Sequence, residues 1–288
     1  MPTPIRKSLM LLAGLLGFSC TQYGQLDYVC RLPGGVNEAS GMVTYNGQTI
    51  WVIEDGSNPD KIREVDTTGN LLREYEVKDA RNKDWEALTT DTLGRLYIGD
   101  FGNNLNSRDD LVIYRLPDPR QEPGDKIDAE AIRFSYPDQK HFPPEKNARF
   151  FDAEGFFHLD GHLYIITKNR ARPFNGMATI YRVPDEPGEY KAELVTRIFI
   201  CGDRRGCQVT DAALSPSGNR LALLGYGFIW VYDSFGTTGF AGTPRKFSLE
   251  SNTQLEGICF VDETEVYLTD EKSVGRGGNI YRYSLPLP

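Results

Sequence analysis

The sequence predicts an all-β fold, a β-propeller of five four-stranded blades, on three observations. Beyond residue 20 no stretch carries helical periodicity. Short runs rich in Val, Ile, Tyr, Phe and Leu are instead punctuated by Gly, Pro, Asn and Asp, the pattern of strands and turns. Finally, one unit recurs: a strand opening on a small or acidic residue, a turn, an apolar strand with a polar end, a loop, and a third strand containing Ile-Tyr-Arg or a relative.

In order, the first strands open at Ala39-Ser40-Gly41, Trp85-Glu86-Ala87, Ala153-Glu154-Gly155, Thr210-Asp211-Ala212 and Leu255-Glu256-Gly257. The second strands run through Ile50-Trp51-Val52-Ile53, Leu96-Tyr97-Ile98-Gly99, Leu163-Tyr164-Ile165-Ile166, Leu221-Ala222-Leu223-Leu224 and Val266-Tyr267-Leu268-Thr269. The third strands carry Lys61-Ile62-Arg63, Ile113-Tyr114-Arg115, Ile180-Tyr181-Arg182, Ile229-Trp230-Val231 and Ile280-Tyr281-Arg282. Fourth strands follow in four copies, at 71–77, 129–136, 193–200 and 244–249, which makes each copy a blade. The fifth copy has none before the chain ends, and residues 26–32 are placed to supply it, closing the ring and removing an open sheet edge. Residues 121–149 read as an outer strand followed by an insertion, because Pro137, Pro143 and Pro144 interrupt them. A sixth blade hidden in that stretch is the alternative.

At the N-terminus, Arg6 and Lys7 precede an apolar run over 9–18 and then Ser19-Cys20, the layout of a secretory signal. The run is too short to span a bilayer. Cys20 after the cleavage point resembles the lipobox of bacterial lipoproteins, which implies lipidation of Cys20. The expectation is a signal over residues 1–20 and a single propeller domain over 21–288, exported to the bacterial periplasm or cell surface and membrane-anchored. A plain signal peptide with Cys20 incidental is the other reading.

The formal net charge is -8 with Lys and Arg spread along the chain, so no basic stripe exists to neutralise a nucleic acid. Cys201 and Cys207 flank Gly-Asp-Arg-Arg-Gly, a turn that can bring them into a disulfide or leave two thiols. No second Cys or His pair stands at a zinc spacing, and the chain holds only three His.

In an antiparallel blade the start of the first strand and the end of the second lie at one rim. The innermost starts Ser40, Glu86, Glu154, Asp211 and Glu256 therefore converge on the axis. Carboxylates so crowded must take up protons or bind a cation. An all-oxygen ring of variable geometry suits calcium better than magnesium. The alternative is that each acid accepts backbone N–H groups at its strand start. The second-strand ends add Asp55, Asp100, Asn103, Asn104, Lys168, Asn169, Tyr226, Asp270, Glu271 and Lys272, with Arg108 in the loop that follows. This polar cup suits an anionic group such as a phosphate or carboxylate. No Gly-x-Ser-x-Gly elbow, His-Glu-x-x-His pair or phosphate-cradling glycine loop is present, and His141, His158 and His162 sit in an insertion or beside turns.

Asp84-Trp85-Glu86-Ala87-Leu88, Tyr97-Ile98-Gly99-Asp100-Phe101-Gly102-Asn103-Asn104, Arg108 and Ile113-Tyr114-Arg115 resemble the secreted bacterial propellers related to the SdiA-regulated and phytase-like esterase groups. Such families share architecture more firmly than activity. In layout the chain is also similar to calcium-activated nucleotidases, five-bladed propellers whose axial calcium is held by Ser and Glu at strand starts. That resemblance implies ligands at Ser40, Glu86, Glu154 and Glu256, while Asp211 departs from it and the nucleotide-binding residues have no counterpart. The expected function is a calcium-bound propeller that binds a small-molecule or protein ligand at its polar rim. A calcium-dependent hydrolase of phosphoesters, lactones or similar anionic substrates is the alternative, and a purely structural scaffold is the third reading.

Overall fold

A computed structural model describes residues 23–272 and 277–288. Cys20 and the apolar run before it lie outside the described residues. The first strand, β1 (Asp27–Arg31), is peripheral. Blade 1 contains β2 (Ala39–Thr44), β3 (Thr49–Glu54), β4 (Lys61–Asp66) and β5 (Leu71–Lys78), and blade 2 begins with β6 (Trp85–Thr90), β7 (Leu96–Asp100) and β8 (Val112–Leu116). The chain then returns to blade 1 for β9 (Lys126–Asp128), parallel to β5, before β10 (Glu130–Ser135) completes blade 2.

Blade 3 is β11 (Asp152–Leu159), β12 (His162–Lys168), β13 (Met177–Pro184) and, after a short β14 (Gly188–Lys191) that runs parallel beside β10, β15 (Glu193–Phe199). Blade 4 is β16 (Val209–Leu214), β17 (Leu221–Gly225), β18 (Phe228–Tyr232) and β19 (Arg245–Ser248). Blade 5 is β20 (Leu255–Phe260), β21 (Glu265–Asp270) and β22 (Asn279–Ser284), finished by β1 in antiparallel register with Tyr28 opposite Tyr281. The protein is thus a five-bladed propeller in which the N-terminal strand closes the last blade. Residues 121–149 hold β9, β10 and one 3-10 turn rather than a sixth blade. β9 and β14 were not legible in the sequence, because Lys-Ile-Asp and Gly-Glu-Tyr-Lys are too short to show a period.

Burial follows position within the blade. β7, β17 and nearly all of β3 and β21 are buried, so they read as continuous apolar runs, being covered by blades on both faces. The outer strands β5 and β10 alternate buried and exposed residues, having one wet face. Five apolar clusters fill the five interfaces between neighbouring blades. Trp51, Trp85 and Ile98 join blades 1 and 2; Phe101, Phe156 and Tyr181 join 2 and 3; Phe157, Ile166 and Trp230 join 3 and 4. Leu224, Leu268 and Tyr281 join 4 and 5, and Met42, Cys259 and Ile280 join 5 and 1.

Around the axis the inner strands approach backbone to backbone. A Cβ on Gly155 would stand 2.6 Å from Ala212 N, and one on Gly257 would stand 2.3 Å from Ser40 O. Gly155→Ala is therefore expected to lower stability in urea unfolding by about 1–3 kcal/mol. Gly34→Ala, whose Cβ would meet nothing within 4 Å, should leave the urea midpoint within about 0.5 kcal/mol of the parent.

Candidate functional site

Each inner strand opens with a break in register, a bulge that re-aims one side chain. Pairing skips from Trp85 to Ala87 in β6, from Ala153 to Gly155 in β11 and from Leu255 to Gly257 in β20. The residues passed over are Glu86, Glu154 and Glu256, and in β2 the wider gap from Ala39 to Met42 contains Ser40. All four line one cavity of 240 Å³ at the head of the channel.

Asp211 is not among them, which corrects its place in the expected ring. In β16 the register passes from Val209 to Asp211, so the equivalent of the glutamates is Thr210. Its hydroxyl donates to Leu255 O at 2.9 Å, as the Ser40 hydroxyl donates to Glu86 O. Asp211 stands one residue later, where the other blades carry Gly or Ala. Fully buried, it accepts the N–H of Ala212 at 2.7 Å and of Ile258 at 2.8 Å, stitching β16 to β20. Two of the five ring positions are hydroxyls tying blades together, and three are glutamates.

The cavity divides into two halves of different chemistry. On the side of blades 3 to 5 the acids are compensated. Lys168, at the end of β12 and 4 % exposed, donates to Glu154 Oε2 at 3.0 Å and to the Tyr226 hydroxyl at 3.2 Å. Tyr226 in turn donates to Glu256 Oε1 at 3.0 Å, and Gln254 Nε2 donates to the same oxygen at 2.9 Å. Arg170 bridges Asp152 and, at 3.1 Å, Glu154 Oε1. Burial opposes the charge on Lys168, but Glu154 and Glu256 outweigh it and raise its pKa above the ordinary lysine value.

On the side of blades 1 and 2 the acids are less compensated: Asp55 accepts the Gly56 N–H, and Arg108 offsets only part of what raises Asp84. Asp55, Asp84 and Glu86 each bring one carboxylate oxygen within 4.8 Å of the others. Among the described residues no N–H or O–H donates to the carboxylate of Asp84 or of Glu86, although Glu86 is only 7 % exposed. Burial drives the Glu86 carboxyl well above its ordinary range, and Glu154, Asp55 and Asp84 add to the effect. Burial and then Asp55 push Asp84 up to about 7. Two devices hold the trio. Asn82 donates to Glu54 O at 2.9 Å and Asp55 O at 3.0 Å while accepting Trp85 N–H at 3.1 Å, which clamps the end of β3 to the start of β6. Gly102 passes behind, where a Cβ would stand 2.3 Å from Glu86 Oε1 and 2.5 Å from Asp84 Cγ.

Several residues expected in the rim cup serve the scaffold instead. Asp100 is fully buried, accepting Asp84 N–H and Arg108 Nη2 at 3.0 Å each, and Arg108 also donates to Gly102 O. Asn103 and Asn169 are buried: the Asn103 side chain accepts Arg108 N–H, and the Asn169 side chain accepts Ala171 N–H. Asp270 is fully buried and accepts Asn279 N–H and the Tyr281 hydroxyl. Lys272 reaches across to Asn37 Oδ1 at 2.9 Å. Asp55, Lys168 and Tyr226 do face the cavity. Sequence reasoning missed Asp84, Asn82, Asp152 and Arg170 as site residues. The Asp-Trp-Glu string was the available signal, two carboxylates flanking the tryptophan that opens β6.

A second grouping, Asp91, His158 and Asp185, lies near the far ends of blades 2 and 3. There Arg95 already pairs with both aspartates, and His158 bonds Asp185 at 2.8 Å. Cys201 and Cys207 form a disulfide with Cα atoms 5.4 Å apart, while Cys30 and Cys259 are buried thiols.

No family model matches the chain, and no curated protein sequence matches it. Solved structures do. A PQQ-bound aldose sugar dehydrogenase from Streptomyces coelicolor is 13 % identical, with a TM-score of 0.50 over 90 % of this chain and 97 % of that one. A gluconolactonase from Xanthomonas campestris is 15 % identical, with a TM-score of 0.45 over 86 % and 72 % of the two chains. The β-propeller domain of Cps50 (Swd1) from Myceliophteria thermophila is 11 % identical, with a TM-score of 0.44 over 91 % and 100 %. At these identities the likeness is one of fold.

Two outcomes are expected from this geometry. Asp211→Ala leaves the buried Ile258 N–H without its acceptor and should cost about 1–3 kcal/mol in urea unfolding. Folded Asp84 keeps a proton that the unfolded chain, with a pKa near about 3.9, gives up. Stability in chelator should therefore fall as pH rises from about 4 to about 7. Asp84→Asn removes that term, so its urea midpoint should gain on the parent across this window. A difference between the two proteins that does not change with pH would contradict the assignment.

Proposed function

We propose that the propeller binds one divalent cation, calcium by its donor chemistry, at Asp55, Asp84 and Glu86, and presents it to an organic ligand at the head of the channel. One observation carries the reading: two carboxylates, Asp84 and the buried Glu86, converge with a third and receive no hydrogen bond from the described residues. Carboxylates so placed are a standing electrostatic cost that a cation removes. The donor set is all oxygen and comes from two blades, a pattern that favours the larger, less geometrically demanding ion.

The ligand has a place to extend. A groove of 520 Å³ between blades 4 and 5 shares Tyr226 and Gln254 with the cavity and continues past Phe228 to Asp203 and Arg205 of the disulfide loop. A ligand with an oxygen-rich head for the cation and a polar body for the groove fits both. Hydrolysis of a phosphoester or lactone is a second reading, favoured by the half-buried Glu256 and Glu271 across the cavity. Burial, Glu256 and Asp55 raise Glu271 above its usual range, which suits a base. We further propose export and anchoring through Cys20; a disulfide between Cys201 and Cys207 accords with an oxidising compartment.

The test is thermal unfolding of the purified protein in chelator and then in calcium, beside Asp55→Asn and Glu86→Gln. Calcium at one hundred times its dissociation constant stabilises by about 2.7 kcal/mol, a rise of roughly 5–10 °C in Tm for a domain of this size. Both variants should lose that rise and melt higher than the parent in chelator. An unchanged parent Tm on calcium addition would refute the cation site.

A further inference from the structure

We propose that Lys168 is a built-in second cation. Its ammonium fills the half of the acid cavity formed by blades 3 to 5 and so limits the protein to a single metal ion beside blades 1 and 2. The proposal rests on the cation site of Asp55, Asp84 and Glu86 and adds to it the determinant of metal number.

Among the described residues Lys168 is the only lysine lining the cavity. Its nitrogen sits 3.0 Å from Glu154 Oε2 and 3.2 Å from the Tyr226 hydroxyl, which carries the contact on to Glu256. Glu154 and Tyr226 bond the ammonium directly and Glu256 is reached through Tyr226, so side chains of three blades converge on one positive charge. A buried ammonium persists only where such partners surround it, and the carboxylates of Glu154 and Glu256 are oxygens that a hard cation takes. The charges show what its removal leaves. Asp152, Glu154, Glu256 and Glu271 face Lys168 and Arg170, a formal net of -2 on this side. Without the lysine the net is -3, and a divalent ion in its place brings it to -1. Arg170 cannot take over, because its guanidinium is already shared between Asp152 and Glu154 Oε1.

The experiment measures bound calcium by equilibrium dialysis, with terbium emission sensitised through tyrosine as an independent readout. The proteins are the parent, Lys168→Gln and Lys168→Arg. The parent and Lys168→Arg should each bind one ion per chain and Lys168→Gln two. Terbium emission should rise in Lys168→Gln, since the added ion lies against the Tyr226 hydroxyl. A merely structural lysine would alter stability in the variant and leave the stoichiometry at one, which would overturn the proposal. Lys168→Gln is purified in millimolar calcium, so that the ion can replace the ammonium during folding. If it stays unfolded there while Lys168→Arg folds, the space does not accept a metal and the proposal fails. A parent that binds no ion while Lys168→Gln binds one would sustain the role of Lys168 and overturn the site at Asp55, Asp84 and Glu86. Absence of binding in both would overturn the two together.

Discussion

The structure depends on how closely five inner strands can approach one axis. Backbone contact at Gly155 and Gly257 leaves no room for side chains between neighbouring strands. The bulge at each strand start resolves the crowding by turning one residue toward the channel. Where that residue is Ser40 or Thr210, its hydroxyl is spent on the next blade's backbone. Where it is a glutamate, the carboxylate has nowhere to go but the cavity. The architecture that closes the ring also concentrates like charge in a space shielded from water.

Such a concentration is relieved in two ways within one cavity. Blades 3 to 5 supply their own countercharge through Lys168 and Arg170, and the acids there are hydrogen-bonded. Blades 1 and 2 give Asp84 and Glu86 no hydrogen bond among the described residues, and burial holds both carboxyls above their usual range, with Arg108 offsetting part of the effect at Asp84. That asymmetry, rather than the ring itself, is the ground for the proposed cation site. It also separates this trio from Asp91, His158 and Asp185, where Arg95 has already done the neutralising.

Closure of the ring is a matter of the chain's two ends. β1 pairs with β22, so blade 5 is built from residues more than two hundred apart in sequence. With β1 in place the last blade reaches four strands, and β22 is not left as an open outer edge.

Repeats of apolar runs, each ended by turn residues, determined the blade count, the strand order and the use of residues near Leu26 to finish the last blade, because those properties depend on local pattern alone. The same pattern located the glutamates at 86, 154 and 256, since each opens an inner strand. It misplaced Asp211 by one residue, for a bulge resets which residue faces the axis and leaves no mark in composition. Nor could it separate rim residues facing the cavity, such as Asp55 and Lys168, from Asp100 and Asp270, which are absorbed into hydrogen bonds of the scaffold. Which carboxylates stay without partners is decided by contacts between blades, set by Asn82, Gly102 and Arg170 from separate segments. Only the tertiary structure brings those segments together, and with them the difference between an acid that supports the fold and one left without a partner.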